Sequence, residues 1–275
     1  MRRCRPLLGT FVEIECDHAQ AMEQGFAAIE RVHRLMSAHK PDSELSRINR
    51  FAHLRPVAVS AETFEVLERA LRWSRLSNGA FDAVHAGNAA LGRGLIPRHA
   101  DQPLPRAAHW TWLEVQGACV RLLKPACLDL GGIAKGYAID VAVAAMKQAG
   151  AAHGLVNAGG DLRAFGVGTS PVTIVDPGSR CGGVAHVELR DAALATSAGL
   201  PAECGLSFDH LAGIHPGWVS VTVRASNACD ADALTKIVWA LGHRSAHLLA
   251  ASGAEAFAIR ADGSLEAIGE QALAA

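Results

Sequence analysis

Net charge is nearly absent from this sequence: 26 basic residues stand against 27 acidic ones, leaving −1 over 275 residues. That balance gives no electrostatic reason to expect nucleic acid or an anionic membrane surface as a partner. The seven cysteines (Cys4, Cys16, Cys119, Cys127, Cys181, Cys204 and Cys229) are odd in number and include no C-x-x-C pair. They read as small buried hydrophobes in a reducing compartment, which excludes a disulfide or zinc framework. No stretch approaches the about 20 uninterrupted apolar residues that cross a bilayer, so membrane insertion is not expected. The opening "MRRCRPLLGTFVEIEC" passes at once from basic residues into an alternating strand, without the apolar run of a secretory signal. Cys4 also lacks the preceding apolar segment of a lipid anchor, and the expected location is cytoplasmic. Missing too are G-x-x-x-x-G-K-[ST], H-E-x-x-H, G-x-S-x-G and a G-x-G-x-x-G after a strand.

What is present describes a folded chain. Half the residues are hydrophobic and 19% are charged, and neither a repeat nor a linker divides the 275 residues, so one domain over 1–275 is expected. "LGTFVEIE" alternates with period two, as a half-buried strand does. "DHAQAMEQGFAAIERVHRLMS" predicts an amphipathic helix with Asp17 as its N-cap, and "SELSRINR" a short helical turn. Ser60 caps a second helix in which Phe64, Leu67 and Leu71 share a face, ending at Gly79. Residues 83–110 have weak periodicity and read as a surface excursion. "WTWLEV", "CVRLLK" and "ACLDL" follow as strands, then "GGIAKGYAIDVAVAAMKQAG" as a helix. "HGLVNAGGDLRAFG", "PVTIVDPG", "GVAHVELRD", "ALATSA" and "GWVSVTVRA" are further strands before the helix of "CDADALTKIVWALG". A second helix near 244–251 precedes a hairpin turning at Asp262-Gly263. Hairpins interrupted by three long helices predict an α+β fold with a largely antiparallel sheet core and long packed helices.

Three glycine-bearing segments could carry chemistry. In "LDLGGIAKGYAID", Asp129 ends a strand while Gly131 and Gly132 open a helix. Bare backbone at a helix N-terminus offers amide donors to an anion such as phosphate, and Lys135 could add a charge; a tight turn with Lys135 in solvent explains the pattern equally well. In "NAGGDLRAFG", the Gly159-Gly160-Asp161 turn would let a ligand approach the backbone, or be a plain turn. In "NGAFDA", Asp82 follows a buried-looking Phe81 and reads on its own as a turn carboxylate. Asp230 and Asp232 at the start of the last long helix raise the question of a metal, and Lys236 lies one helical turn beyond Asp232.

Taken in order, "LLGT", "MSAHKPDSELSRIN", "GAFD", "LDLGGIAKGYAID", "LVNAGGDLRAFG", "VTIVDP", "ALATSA" and "ADALTK" resemble the FAD:protein FMN transferases, the ApbE family, once called thiamine biosynthesis lipoproteins. The resemblance implies an α+β fold and a Mg²⁺-dependent transfer of FMN from FAD onto a Thr or Ser hydroxyl of a target protein, with AMP released. The targets it implies are flavin-carrying redox subunits. Carried over by position, Leu8 and His39 would touch the flavin, and Ala80, Phe81 and Asp82 would line the FAD pocket. Asp129, Lys135, Gly160 and Leu211 would face the rest of FAD. Gly132, Asp232 and Thr235 would hold the metal, and His210 would stand where a base is expected.

The sequence also departs from the family. Leu8 replaces the Met before Gly-Thr, His39 stands where a flavin-stacking Tyr is expected, and the single tyrosine, Tyr137, lies elsewhere. "HLAGIHPGW" keeps His210 but not Asp-Pro-x-Thr-Gly, and "ATSG" has become "ATSA". At the metal pattern the fourth residue after the Asp is Lys236 instead of Thr. Lys236 therefore joins His210 as a candidate catalytic residue, either as a plain i, i+4 ion pair with Asp232 or in part of a metal's role. The departures leave open a divergent FAD-binding or non-catalytic protein, or an FAD pyrophosphatase in which water replaces the acceptor hydroxyl.

Overall fold

The computed structural model describes residues 1–98, 107–175, 183–199 and 217–269. The chain divides into two compact units, one made of Met1–Glu30 with Lys135–Ala275 and the other of Arg31–Ala134.

Strands β1 (Arg2–Leu7) and β2 (Thr10–Cys16) form an antiparallel hairpin. Leu8 (φ 57°) and Gly9 (φ 73°) make its two-residue turn, both left-handed, the geometry whose twist matches paired strands. The alternation in "LGTFVEIE" corresponds to β2, whereas β1 is a mostly exposed edge strand with three arginines, which is why it reads as a basic lead-in. Helix α1 (Ala19–Met36) begins later than expected. Its cap is His18, whose Nδ1 accepts the Ala21 amide at 3.1 Å, and not Asp17. The chain remains in β2 through Cys16, whose Sγ accepts the His18 amide at 3.2 Å, so Asp17 is spent on leaving the sheet.

In the unit of Arg31–Ala134, α2 (Glu44–Phe51) is capped by Ser43, whose hydroxyl accepts the Ser46 amide at 2.9 Å. After β3 (Val57–Ala58), helix α3 (Ala61–Leu76) starts at Ser60 as expected and buries Val66, Leu67, Ala70, Leu71 and Trp73. The expected surface excursion holds a helix instead, α4 (Ala83–Gly92), with Val84, Gly87, Ala90 and Leu91 buried. Its periodicity is weak because it packs by closeness and not by bulk: a Cβ on Gly87 would lie 2.3 Å from the Cys127 carbonyl oxygen. Strands β4 (Leu113–Gln116) and β5 (Cys119–Leu122) complete a sheet of order β3-β5-β4. "ACLDL" is not a strand. Its backbone is held by side chains, with Asn88 Oδ1 accepting Cys127 N (2.8 Å) and Asn49 Oδ1 accepting Leu128 N (2.7 Å). Extended conformation without a neighbouring strand is what the apolar pattern alone could not distinguish.

The remaining elements belong to the other unit: α5 (Ala134–Gln148), which starts at the unit boundary, β6 (His153–Ala158), β7 (Asp161–Gly166), β8 (Ser170–Val175), β9 (Gly183–Leu189), β10 (Ala193–Ala198), β11 (Trp218–Ala225), α6 (Ala228–Leu241), α7 (Ala246–Ser252), β12 (Glu255–Arg260) and β13 (Leu265–Ile268). Eight strands form one sheet of order β1-β2-β6-β7-β10-β11-β12-β13, every pair antiparallel, and β8 with β9 forms a separate hairpin.

The two faces of the sheet differ in side-chain size because alternate residues point to opposite sides. On one face Phe257 and Ile259 pack against Ile174 of the hairpin, and Leu162 and Leu194 against Val172 and Val187. The other face presents Ala193, Ala195 and Ser197 on β10, small enough for α6 to lie close, and Ala256 and Ala258 on β12. Helices α5 and α6 also meet closely: a Cβ on Gly136 would fall 2.1 Å from the Ala228 carbonyl oxygen. The α+β class and the antiparallel core expected from the sequence are both observed.

Candidate functional site

Two carboxylates and two ammonium groups converge where α5 begins, between α6 and strands β7 and β10 of the small-residue face. Asp161 opens β7 directly after the Gly159-Gly160 turn, whose two positive φ angles (65° and 100°) reverse the chain. Its carboxylate is 1% exposed, with Oδ1 accepting the Thr196 amide at 3.1 Å and Oδ2 paired with Lys135. Asp232 lies on α6 with no exposed surface. Its Oδ2 accepts the Gly136 amide at 3.1 Å and its Oδ1 is paired with Lys236 Nζ. Thr235 donates to the Asp232 carbonyl at 2.7 Å. With that proton committed, Ser197 Oγ donates to Thr235 Oγ1 at 2.8 Å.

Burial pushes the Asp161 carboxyl above the usual range and the Asp232 charge pushes it further, while Lys135 and Lys236 pull it back. Lys135 is held above its ordinary value: burial acts to lower it, but the Asp161 and Asp232 carboxylates more than offset that. The lysines are the more accessible members, their side chains 28% exposed for Lys135 and 16% for Lys236. A third carboxylate, Asp140 on α5, sets the start of α6. Asp140 accepts the amides of Ala228 and Cys229, both at 2.9 Å, and pairs with Arg163 at 2.6 Å. A carboxylate across two free amides at a helix N-terminus compensates the helix dipole and fixes where Asp232 enters.

The expected site residues fall into separate groups. Lys135, Asp232, Thr235 and Lys236 come together as described. Gly160 is exposed at the turn before Asp161, its amide donating to Asn157 Oδ1 at 3.0 Å. Leu8 occupies the β1–β2 turn. In the other unit, Ala80, Phe81 and Asp82 lead into α4. Asp82 is its N-cap, with Oδ1 accepting Val84 and His85 amides and Oδ2 the Trp110 amide, all at 2.9 Å. Asp129 is bonded through its amide to the Ala83 carbonyl (2.9 Å), and its Oδ1 accepts the Gly131 amide at 2.8 Å, with Gly132 following. His39 is exposed. His210 and Leu211 lie outside the described residues. Sequence reasoning singled out the glycines of "NAGGD" more than Asp161, and it passed over Thr196, Ser197 and Asp140. The signal for Asp161 was present, as a carboxylate at the first buried position after a glycine turn.

The residues at Asp232 do not fit the divalent ion that the resemblance implies. Both carboxylate oxygens are already engaged, one of them by a cation. Among the described residues no three His, Cys, Asp or Glu side chains gather in a metal-binding arrangement.

A family model described as the ApbE family matches residues 8–259. The chain belongs to the ApbE family. It is 30% identical over 154 residues to a Haemophilus influenzae protein named FAD:protein FMN transferase, a match covering 51% of this chain and 44% of that protein. A Treponema pallidum protein of the same name is 27% identical over 260 residues, covering 81% of this chain and 72% of that one. The chain spans less than half the length of the first curated relatives it matches, 44% in two cases. The crystal structure of an ApbE protein from Thermotoga maritima superposes with a TM-score of 0.83 at 22% identity, covering 97% of this chain and 96% of that one. At that identity the likeness is one of fold. No helix among the described residues of this ApbE-family chain is long and apolar enough to cross a membrane.

Proposed function

We propose that this ApbE-family chain transfers FMN from FAD onto the hydroxyl of a Thr or Ser in a target protein, a flavin-carrying redox subunit, and releases AMP. The observation that carries the reading is the family match over 8–259, which contains the Lys135–Asp161 and Asp232–Lys236 pairs in one cluster. In the transfer the acceptor oxygen bonds to the phosphorus on the FMN side of the pyrophosphate. The bridging P–O bond breaks, AMP leaves with its electron pair, and the hydroxyl proton is lost. Positive charge held against the phosphates stabilises the charge that grows on them, and Lys135 and Lys236 are the accessible cations of the cluster. Taking up the hydroxyl proton is the role the resemblance gives His210.

Incubation with FAD and a candidate acceptor, read by mass spectrometry, is expected to give an FMN adduct on Thr or Ser together with AMP. Absence of both, in Mg²⁺ and in chelator alike, rules the transfer out. A second reading, FAD binding without transfer, is favoured by the exposed His39 at the position expected to stack on the flavin. It would give saturable FAD binding with no AMP, whereas AMP and FMN without acceptor would mark hydrolysis.

A further inference from the structure

We propose that the Lys236 ammonium is a built-in cation at Asp232, so that this chain holds no divalent ion there and meets phosphate through Lys135 and Lys236 instead. A buried carboxylate demands a counter-charge, since an isolated charge inside a protein is strongly disfavoured. At a divalent site that demand is met by the ion. Here Asp161 and Asp232 contribute −2 and Lys135 with Lys236 contributes +2, so the cluster is neutral without any ion.

Geometry adds to the charge count. Asp232 Oδ2 is taken by the Gly136 amide at 3.1 Å, and Oδ1 by an ammonium from its own helix, four residues on. For a divalent ion to bind Asp232, Lys236 would have to leave that oxygen while remaining close enough to repel the incoming charge. Thr235 also has its proton committed to the Asp232 carbonyl at 2.7 Å and accepts from Ser197 at 2.8 Å. The order of burial gives the arrangement its direction. The carboxylates are 0% and 1% exposed, while the side chains of Lys236 and Lys135 keep 16% and 28% exposure, so an approaching phosphate meets the lysines with their counter-charges behind them. The occupancy of Asp232 stands on these contacts alone. The phosphate half rests on the FMN-transfer reading, and metal binding is measured without FAD so that the two can fail separately.

Mn²⁺ binding to the apoprotein, followed by loss of the free aqueous EPR signal, is the test. Wild type and Asp232→Asn are expected to bind Mn²⁺ equally or not at all. Lys236→Thr, which leaves Asp232 buried without its partner, is expected to melt lower than wild type, to gain one Mn²⁺ per chain and to recover melting temperature with it. One equivalent bound by wild type and lost in Asp232→Asn overturns the proposal. So does a folded Lys236→Thr that gains no Mn²⁺. If a variant does not fold, the wild-type Gly136 amide resonance decides: its line width is expected to survive Mn²⁺, and selective broadening overturns the proposal. For the phosphate half, FAD affinity is expected to be the same in Mg²⁺ and in chelator and to weaken in Lys135→Met. Affinity that needs Mg²⁺, or that ignores Lys135, overturns that half.

Discussion

A carboxylate withdrawn from water needs partners for its oxygens, and the half-buried Asp82 and the fully buried Asp232 find them in different ways. Asp82 satisfies itself with three backbone amides, from Val84, His85 and Trp110, which makes it a structural cap whatever else passes near it. Asp82→Ala is therefore expected to lower stability by about 1–3 kcal/mol, the range of a lost N-cap plus a further orphaned amide, measured by urea unfolding. Asp232 has one amide and one ammonium, so its environment depends on a single side chain that a substitution can remove. Leu8 is a third kind of residue: a non-glycine with φ 57° in a two-residue turn, a conformation that L side chains seldom take. Its strain sits at the position the resemblance assigns to flavin contact, where a conformational cost has a reason to be kept.

At the scale of elements, the site depends on how near α5 comes to α6. Gly136 makes this approach possible, and its amide also reaches Asp232. Gly136→Ala would place a methyl 2.1 Å from the Ala228 carbonyl oxygen and force the helices apart. The expected cost is about 1–3 kcal/mol, the range for overpacking, seen as a lower urea midpoint. The gain in helix propensity from glycine to alanine, roughly 1 kcal/mol, does not offset it. The same packing logic runs through the sheet, where Ala193, Ala195, Ala256 and Ala258 leave room for a helix and Leu194, Phe257 and Ile259 fill the space under the hairpin.

For the whole molecule, acid stability has an identifiable contributor. Glu266 on β13 accepts Trp218 Nε1 (2.7 Å) and Arg260 Nε (2.9 Å) on Oε2 and bonds His243 Nε2 (2.7 Å) through Oε1, joining strands β11, β12 and β13 to the turn after α6. The Arg260 hydrogen bond first, opposed by burial and aided by His243 and Trp218, brings its carboxyl from 4.5 down to about 2. A depressed carboxyl contributes stability that is whole above its unfolded value and is lost as pH falls through its folded value. Between pH 4.5 and about 2, wild type is thus expected to lose stability more steeply than Glu266→Gln, as followed by thermal melts across that window.

Much of this protein was legible before folding, because periodicity and capping are local. Ser60 capping α3, the alternation in β2 and the glycine turn before Asp161 all act within a few residues, so the sequence by itself determined the α+β class and most elements. The cap of α1 moved from Asp17 to His18, because the length of β2 is decided by its pairing and not by its composition. Helix α4 escaped notice because Gly87 buries by contact with Cys127, forty residues away in chain order. Asp232 could be suspected of holding a metal, and Lys236 could be seen one turn beyond it. Only the tertiary structure decided that Gly136, 96 residues earlier, would take the other oxygen. A carboxylate's partners are set by which helices meet, and that is a property of packing over distance that no local window of sequence contains.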